Sequence, residues 1–392
     1  MRNSTAYVDT VRRIAEGIAE PHAVEVDRDA RFPSETITAL REANLLGAFV
    51  PRELGGLSCG MLELAGMCDV LGQHCASSAM IFAMHQIQVA CIVRHGLAEA
   101  YFQRYLRELA ASQLLIASVT SEVGVGGEMR TSQCAVVERA GRFELQKDAT
   151  TVSYGAEADD LLITARRHPD AAPSDQTLVL GRKAENRVER TGSWDTLGMR
   201  GTCSPAYRVT TSGSSEQILP QPFADISSHS MVPFSHVLWA NCWLGIATAA
   251  AARARGYARA RARNQPGQSH PSALRLSELA SLLQTMRAHV SEVATECDQL
   301  VARDDSAAAA STAALSSVGF ALKMNNLKLS ASELVVTIVS QSLRICGIAG
   351  YANDTKFSIG RHLRDAHSAA LMVSNDRIHA INGSLLLVLK NH

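Results

Sequence analysis

Residues 350–365 read GYANDTKFSIGRHLRD and continue into AHSAALMVSNDRI, and this stretch decides the fold assignment. It completes a glycine-rich turn that begins at Gly347, and a basic Arg-Asp-Ala step follows at residues 364–366. Glycine allows tight turns that other residues resist, so a turn followed by a basic step and a helix-forming segment is a specific pattern. Val373 lies in that last segment, and its aliphatic side chain cannot accept a proton.

The pattern of the sequence changes twice along the chain. From Tyr7 to about Ser112 apolar residues recur three and four apart, which is typical of amphipathic helices. Short β-forming runs separated by Gly, Ser, Asp and Pro follow, and helical periodicity returns from Met231 in four long segments. We therefore expect three domains: an N-terminal α-helical domain at 1–114, a middle β-barrel or sandwich domain at 115–226, and a C-terminal four-helix bundle at 227–392.

Bulk composition disfavours several classes of partner. The 392 residues include 38 basic and 38 acidic side chains, so no net charge attracts nucleic acid or an anionic membrane. The N-terminus lacks the apolar core of a signal peptide, and we expect no apolar window of membrane-spanning length. Nine scattered cysteines without a CxxC pair are typical of reduced core thiols rather than of a metal site. These features predict a cytoplasmic protein with no metal, no nucleic-acid partner and no membrane association.

Four further segments carry specific residue orders. Residues 46–57, LGAFVPRELGGL, place a proline and two glycines between helical segments. Residues 121–128, SEVGVGGE, and 147–159, KDATTVSYGAEAD, lie among the β-like runs, and residues 194–204, WDTLGMRGTCS, come later in the same region. Singly, each segment is compatible with an ordinary turn. Together, and in this order, the four segments are much less compatible with a chance set of ordinary turns.

With these motifs the chain resembles the acyl-CoA dehydrogenase superfamily over essentially its whole length. The resemblance implies an acyl-CoA dehydrogenase-like fold. It also implies FAD as the cofactor, or reduced flavin supplied by a partner reductase. Segments 121–128 and 147–159 correspond to the parts that pass the flavin ring, and 194–204 to a part that helps to shape the acyl site.

Several residues are expected to contact the flavin on the strength of this resemblance. Ser121 can donate a hydrogen bond to the edge of the ring, and Ser153 keeps a hydroxyl where the family has a threonine. Thr151 replaces an aromatic side chain, so the flavin face should be more open. Arg261 falls where the family supplies an arginine to the FAD diphosphate. The complete set of expected contacts is Thr120, Ser121, Thr151, Ser153, Arg261, Arg344, Gly347 and Asn375.

The family's catalytic glutamate is missing. Its usual position falls on Val373, and the alternative position near the start of a C-terminal helix falls on Ser235. His85 is the expected catalytic residue, because monooxygenases of this fold often place a histidine there, although a lone histidine on an apolar face is also typical of a core residue. Asp376 is a further candidate base. The expected substrate contacts are Gly127, Ser235, His236 and Val373.

Three functions remain open. The first is an FAD-dependent oxidoreductase that acts on an acyl thioester bound to CoA or a carrier protein. The second is a flavin-dependent monooxygenase that hydroxylates carbon or nitrogen with reduced flavin and O₂ and needs no such glutamate. The third is a silent flavoprotein. The resemblance further implies a flavin reductase or an electron-transfer flavoprotein as partner, and a homodimer or homotetramer.

Overall fold

The computed structural model describes residues 4–125, 128–264, 272–301 and 308–389. Helices come first, a β region follows, and helices return, as the periodicities predict. The first region contains α1 to α6, and a π-helical turn at Ala15–Ala19 joins α1 to α2. The bounds of these helices are α1 Ser4–Ile14, α2 Glu20–Arg28, α3 Ser34–Glu42, α4 Met61–His74, α5 Ala76–Gly96 and α6 Ala100–Ser112.

The middle region is a pair of small sheets. Three strands pair in the order β1-β4-β5, and four pair in the order β2-β3-β7-β6. The β1–β4 pair is parallel, and the other pairs are antiparallel. The strands are β1 Ile116–Val119, β2 Val137–Arg139, β3 Arg142–Ala149, β4 Asp160–Arg166, β5 Gln176–Arg182, β6 Asn186–Arg190 and β7 Tyr207–Ser214. A two-sheet arrangement corresponds to the sandwich form of the expected middle domain.

The third region contains more helices than the expected four. Three long helices, α8, α9 and α11, pack against one another, and α4 of the first region packs along α8. Gly72 and Gly245 allow that close approach, since a Cβ on Gly245 would lie 2.4 Å from the Asp69 carbonyl oxygen. The helices are α7 Phe223–Ile226, α8 Val232–Asn264, α9 Ser272–Val301, α10 Ala308–Leu315, α11 Val318–Cys346, α12 Ile348–Tyr351, α13 Gly360–Ala366 and α14 Asn375–Val388.

Helices α5 and α11 are long and apolar enough to cross a membrane by length and composition alone. The expectation that no segment reaches this length was therefore wrong. In α5, however, 94% of the apolar window is buried inside the protein, as in a core helix, and in α11 the share is 50%. Apolar residues of α5 such as Ile81 and Phe82 belong to the same core as α4 and α8. All nine cysteines are free, and eight are buried.

A segment from residue 194 to 204 ties the middle region to both helical regions. Met199 N donates to Asp365 Oδ1 at 2.7 Å, and Arg200 Nε donates to the Asp27 carbonyl at 2.9 Å. Gly198 lies against the Arg364 carbonyl, where a Cβ would approach the oxygen to 2.2 Å. Burial raises the pKa of Asp365 to about 6. The segment therefore fixes the relative position of the regions. It lines neither cavity described next, and its expected part in shaping the acyl site stays a prediction.

Candidate active site

Two adjoining cavities lie where the β region meets the helices. The first, the loop cavity, has a volume of about 300 Å³ and is bounded by the loops after β1 and β3, by α5, and by the start of α8. The second, the helix cavity, has a volume of about 440 Å³ and lies mainly among α7, α8, α11 and α14. Glu128, Met129 and Val373 line both cavities, so these residues mark their junction.

The loop cavity brings together most of the residues expected near the flavin ring. Thr120, Ser121, Thr151 and Ser153 form one wall, called here the loop wall. Ser121 Oγ donates to the Thr151 carbonyl at 2.7 Å and accepts from Thr151 N at 3.0 Å. The hydroxyl expected to donate to a flavin thus joins the two loops instead. Ser121 is better described as a residue that positions the wall.

Further contacts make the loop wall rigid. Ser204 Oγ donates to Ser153 Oγ at 2.9 Å. Behind the wall, Lys147 and Glu122 form a buried ion pair, with 3.4 Å between Lys147 Nζ and Glu122 Oε2. The Glu122 carboxylate also accepts from Cys134 N at 2.6 Å, which ties the start of the loop to its end. Burial lowers the pKa of Lys147, against the opposing effect of Glu122. Such preorganisation suits a site that holds a flat cofactor in one orientation.

Helices α5 and α8 provide another wall of the loop cavity, called here the helical wall. It consists of Met84, Ile87 and Gln88 from α5 with Ser235 and Trp239 from α8. Residues 84, 87 and 88 share one face of α5, as residues three and four apart do in a helix. The hydroxyls of the loop wall fit the polar edge of a planar ring, such as the isoalloxazine of a flavin, and the helical wall adds apolar side chains to the same cavity.

The expected catalytic role of His85 does not fit its environment. The side chain is completely buried, and it lines neither cavity. Its Nε2 lies 2.8 Å from the Leu46 carbonyl, and its Nδ1 accepts from Ile116 N at 3.1 Å. Burial lowers its pKa to about 4, so the ring is neutral near pH 7. His85 therefore joins α5 to β1 and to the chain after α3, and has no nitrogen left for a substrate.

The segment that should carry the catalytic glutamate is not a continuous helix. Between α13 and α14 the chain forms turns, and Val373 and Ser374 have φ angles of +56° and +46°. A β-branched residue in this region is strained, at an expense of about 1–3 kcal/mol. Asn375 then begins α14, and its Oδ1 accepts from Lys328 Nζ at 2.5 Å. Asn375 thus anchors the turn, while Asp376 is exposed and lines neither cavity.

His236 lies in the helix cavity and is 4% exposed. Its Nδ1 is 2.9 Å from the Met324 carbonyl and must donate to it, which leaves a lone pair on Nε2. Burial is the main cause that lowers the pKa of His236 to about 4, and the charge of Lys328 adds to the effect. The imidazole is therefore neutral near pH 7 and has one nitrogen able to accept a proton.

Glu128 is a carboxylate at the junction of the cavities that the sequence did not single out as a candidate base. Its Oε1 accepts from Arg130 N at 3.0 Å. It follows Gly127, an expected substrate contact that lies outside the described residues. The pattern SEVGVGGE gives no sign of a base, because an acidic residue after glycines is common in a loop.

The remaining expected cofactor contacts are on the exterior. Arg261, Arg344 and Gly347 are exposed, and within the described ranges none of them lines either cavity. Arg261 Nη1 contacts the Tyr257 hydroxyl at 3.3 Å near the end of α8. A role for these residues in this chain stays a prediction.

Comparisons with known proteins agree with this architecture. Residues 2–113 match the family model for the acyl-CoA dehydrogenase N-terminal domain, and residues 231–379 match that for the C-terminal domain. A mitochondrial isovaleryl-CoA dehydrogenase from Solanum tuberosum is 24% identical over 378 residues, which span 93% of this chain and 87% of the relative.

Solved structures share the fold at low identity. FMN-bound TdsC from Paenibacillus sp. A11-2, a dibenzothiophene monooxygenase, superposes with a TM-score of 0.83 at 20% identity and covers 97% of this chain and 96% of its own. A nitrososynthase from Micromonospora carbonacea var. africana superposes with a TM-score of 0.81 at 20% identity, and the alignment covers 99% of this chain and 98% of the nitrososynthase chain. With both flanking domains matched by the family models, the chain belongs to the acyl-CoA dehydrogenase superfamily of flavin-dependent oxidoreductases.

Proposed function

We propose that this protein is a flavin-dependent monooxygenase that hydroxylates a carbon or nitrogen atom of a largely apolar substrate. The observation that carries the proposal is that Val373 and Ser235, the two positions where the family resemblance places a base, both line the loop cavity and neither can remove an α-proton. The similar folds of TdsC, a monooxygenase, and of a nitrososynthase agree with oxygen chemistry, although at 20% identity they establish the fold alone.

The overall reaction balances with reduced flavin as the electron donor. One atom of O₂ enters a C–H or N–H bond of the substrate, the other leaves as water, and the flavin supplies two electrons. A partner flavin reductase would regenerate the reduced form. A flavin bound at the loop wall beside Thr120, Thr151 and Ser153 would supply this redox chemistry. FMN and FAD carry the same ring, and the residues expected to hold the diphosphate part of FAD lie on the exterior. The loop wall is therefore compatible with either cofactor.

The chain's own residues would bind and orient the substrate. Phe223, Phe320 and Met324 make the helix cavity apolar, which excludes water from the reaction. His236 Nε2 would accept a hydrogen bond from an N–H or O–H group of the substrate and so orient it. The hydrogen bond from Nδ1 to the Met324 carbonyl fixes the tautomer that leaves Nε2 free for this role.

Glu128 favours a second candidate function, oxidation of an acyl thioester. Its carboxylate lies at the junction of the two cavities, where it could act as a relocated base. In that case the substrate would lose an α-proton to Glu128 and a β-hydride to the flavin, and an electron-transfer flavoprotein could take up the electrons.

The test of the monooxygenase proposal needs no known substrate. Reduced FMN or reduced FAD is mixed with O₂ in the presence and absence of the protein, and the return of oxidised flavin is followed at its visible absorbance band. A site that keeps water from the reacting flavin should slow that return at least about tenfold. An unchanged rate with both flavins would contradict the proposal.

A further inference from the structure

Two buried polar atoms on the helical wall have no hydrogen-bond partner. They are Gln88 Oε1 on α5 and Trp239 Nε1 on α8. The two residues are 3% and 9% exposed, and both line the loop cavity. A buried polar atom without a partner destabilises a protein, so native structures rarely leave one inside unless a ligand or water completes its hydrogen bonding.

The free atoms are one acceptor and one donor. Gln88 Nε2 lies 3.4 Å from the Met84 carbonyl one turn earlier. This orientation of the Gln88 amide avoids a contact between its oxygen and the Met84 carbonyl oxygen, and it leaves Oε1 as the free end. The indole nitrogen of Trp239 can only donate. The wall therefore offers a C=O acceptor and an N–H donor among apolar side chains such as Met84 and Ile87.

We propose that the helical wall binds a substrate that carries both a hydrogen-bond donor and a carbonyl acceptor on an otherwise apolar frame, as a cyclic amide does. Trp239 N–H would donate to the carbonyl, and Gln88 Oε1 would accept from the N–H. This arrangement rejects a plain hydrocarbon chain, because such a chain leaves both polar atoms buried and unpaired. The inference rests on the proposed function, which places the flavin at the loop wall.

The same donor and acceptor pattern occurs on the pyrimidine ring of a flavin, so the test must separate the two ligands. Wild-type protein is loaded with FMN, and binding of oxindole, a bicyclic lactam, is compared with that of indene, an apolar ring system of the same shape. The variants are Trp239→Phe, which removes only the N–H, and Gln88→Met, which removes the amide. Met84→Leu is the control, because it alters an apolar residue of the same wall.

Oxindole should bind the wild type more tightly than indene. Each of Trp239→Phe and Gln88→Met should weaken oxindole binding about 3- to 10-fold, the equivalent of one hydrogen bond, with indene binding changed less than about 2-fold. Met84→Leu should change the binding of the two probes by similar factors and so keep the wild-type preference for oxindole. Flavin binding and slow flavin reoxidation are measured first on the wild type, where their absence would count against the proposed function rather than against this inference.

Two results would overturn the inference. One is equal binding of oxindole and indene, or no binding of either, to flavin-loaded wild type. The other is weaker FMN binding in Trp239→Phe and Gln88→Met with unchanged oxindole binding, since the wall would then contact the flavin itself. Thermal unfolding of each variant, with and without FMN, verifies that the comparison is made on folded protein.

Discussion

Anaerobic addition of butyryl-CoA or isovaleryl-CoA should leave the bound flavin oxidised. Neither Val373 nor Ser235 can remove a proton, and a missing general base lowers a rate by about 10²- to 10⁴-fold. The measurement is the visible absorbance of the flavin after mixing. Val373→Glu, which places a carboxylate at the junction of the cavities, should bleach the flavin at least about tenfold faster than the size-matched Val373→Gln.

Glu128→Gln decides between the two candidate functions. If Glu128 is not a base, this variant should be as inert towards thioesters as the wild type. Rapid bleaching by wild type that is lost in Glu128→Gln would instead show that Glu128 is the base and that thioester oxidation is the reaction. Because Glu128 lines both cavities, its carboxylate is the candidate base that this variant removes.

His85→Leu should destabilise the protein without abolishing catalysis. The change leaves Ile116 N–H without its partner, whereas the Leu46 carbonyl still accepts from Gln86. The expected loss is about 2–4 kcal/mol of unfolding free energy at pH 7.5, measured by chemical denaturation. Turnover at a temperature where the variant is folded should remain within about 3-fold of wild type, because His85 touches neither cavity.

The pH dependence of this effect has a definite sign. The pKa of His85 is about 4 in the folded protein, below the ordinary value of 6.5, so the unfolded chain binds the proton more readily. The contribution of neutral His85 to the unfolding free energy is complete above pH 6.5 and is lost as the pH falls towards 4. The difference in unfolding free energy between the wild type and His85→Leu should therefore decrease by about 2 kcal/mol from pH 7.5 to pH 5.

His379→Leu is the matched control for His85→Leu, since His379 is an exposed histidine on α14. The unfolding free energy of His379→Leu should differ from that of the wild type by less than about 0.5 kcal/mol. A loss of activity of 100-fold or more in folded His85→Leu would restore the catalytic role expected from the sequence.

The succession of domains was predictable because helical and strand periodicities differ. The short β-forming runs, LIASV, CAVVER, RFELQ, DLLITAR, QTLVLG and AYRVTT, correspond to β1 to β5 and β7, whereas no run predicted β6. Only Val188 in β6 is apolar, and an edge strand with polar, exposed residues has no alternating pattern. The break between α13 and α14 was also missed, because no proline or glycine marks residues 367–374 and tertiary contacts such as Lys328 with Asn375 stabilise the turn.

The site was predictable only where motifs carried it. Thr151, Ser153, Ser235 and Val373 come from distant segments and meet in one cavity, as the family resemblance implies. Periodicity could not choose the functional face of α5, because that helix is apolar nearly all round, and His85 is turned by about 100° from Met84. Gln88 and Trp239 gave no signal, since one polar atom on an apolar face becomes informative only when its partners are known.

The central claim is that the loop wall of the loop cavity binds a flavin. Equilibrium binding of FMN and FAD to the purified chain, each in the oxidised and the reduced form, tests this claim most directly. The account predicts saturable uptake of one flavin per chain in at least one of the four titrations, with quenching of the fluorescence of nearby Trp239. Absence of uptake in all four would contradict it.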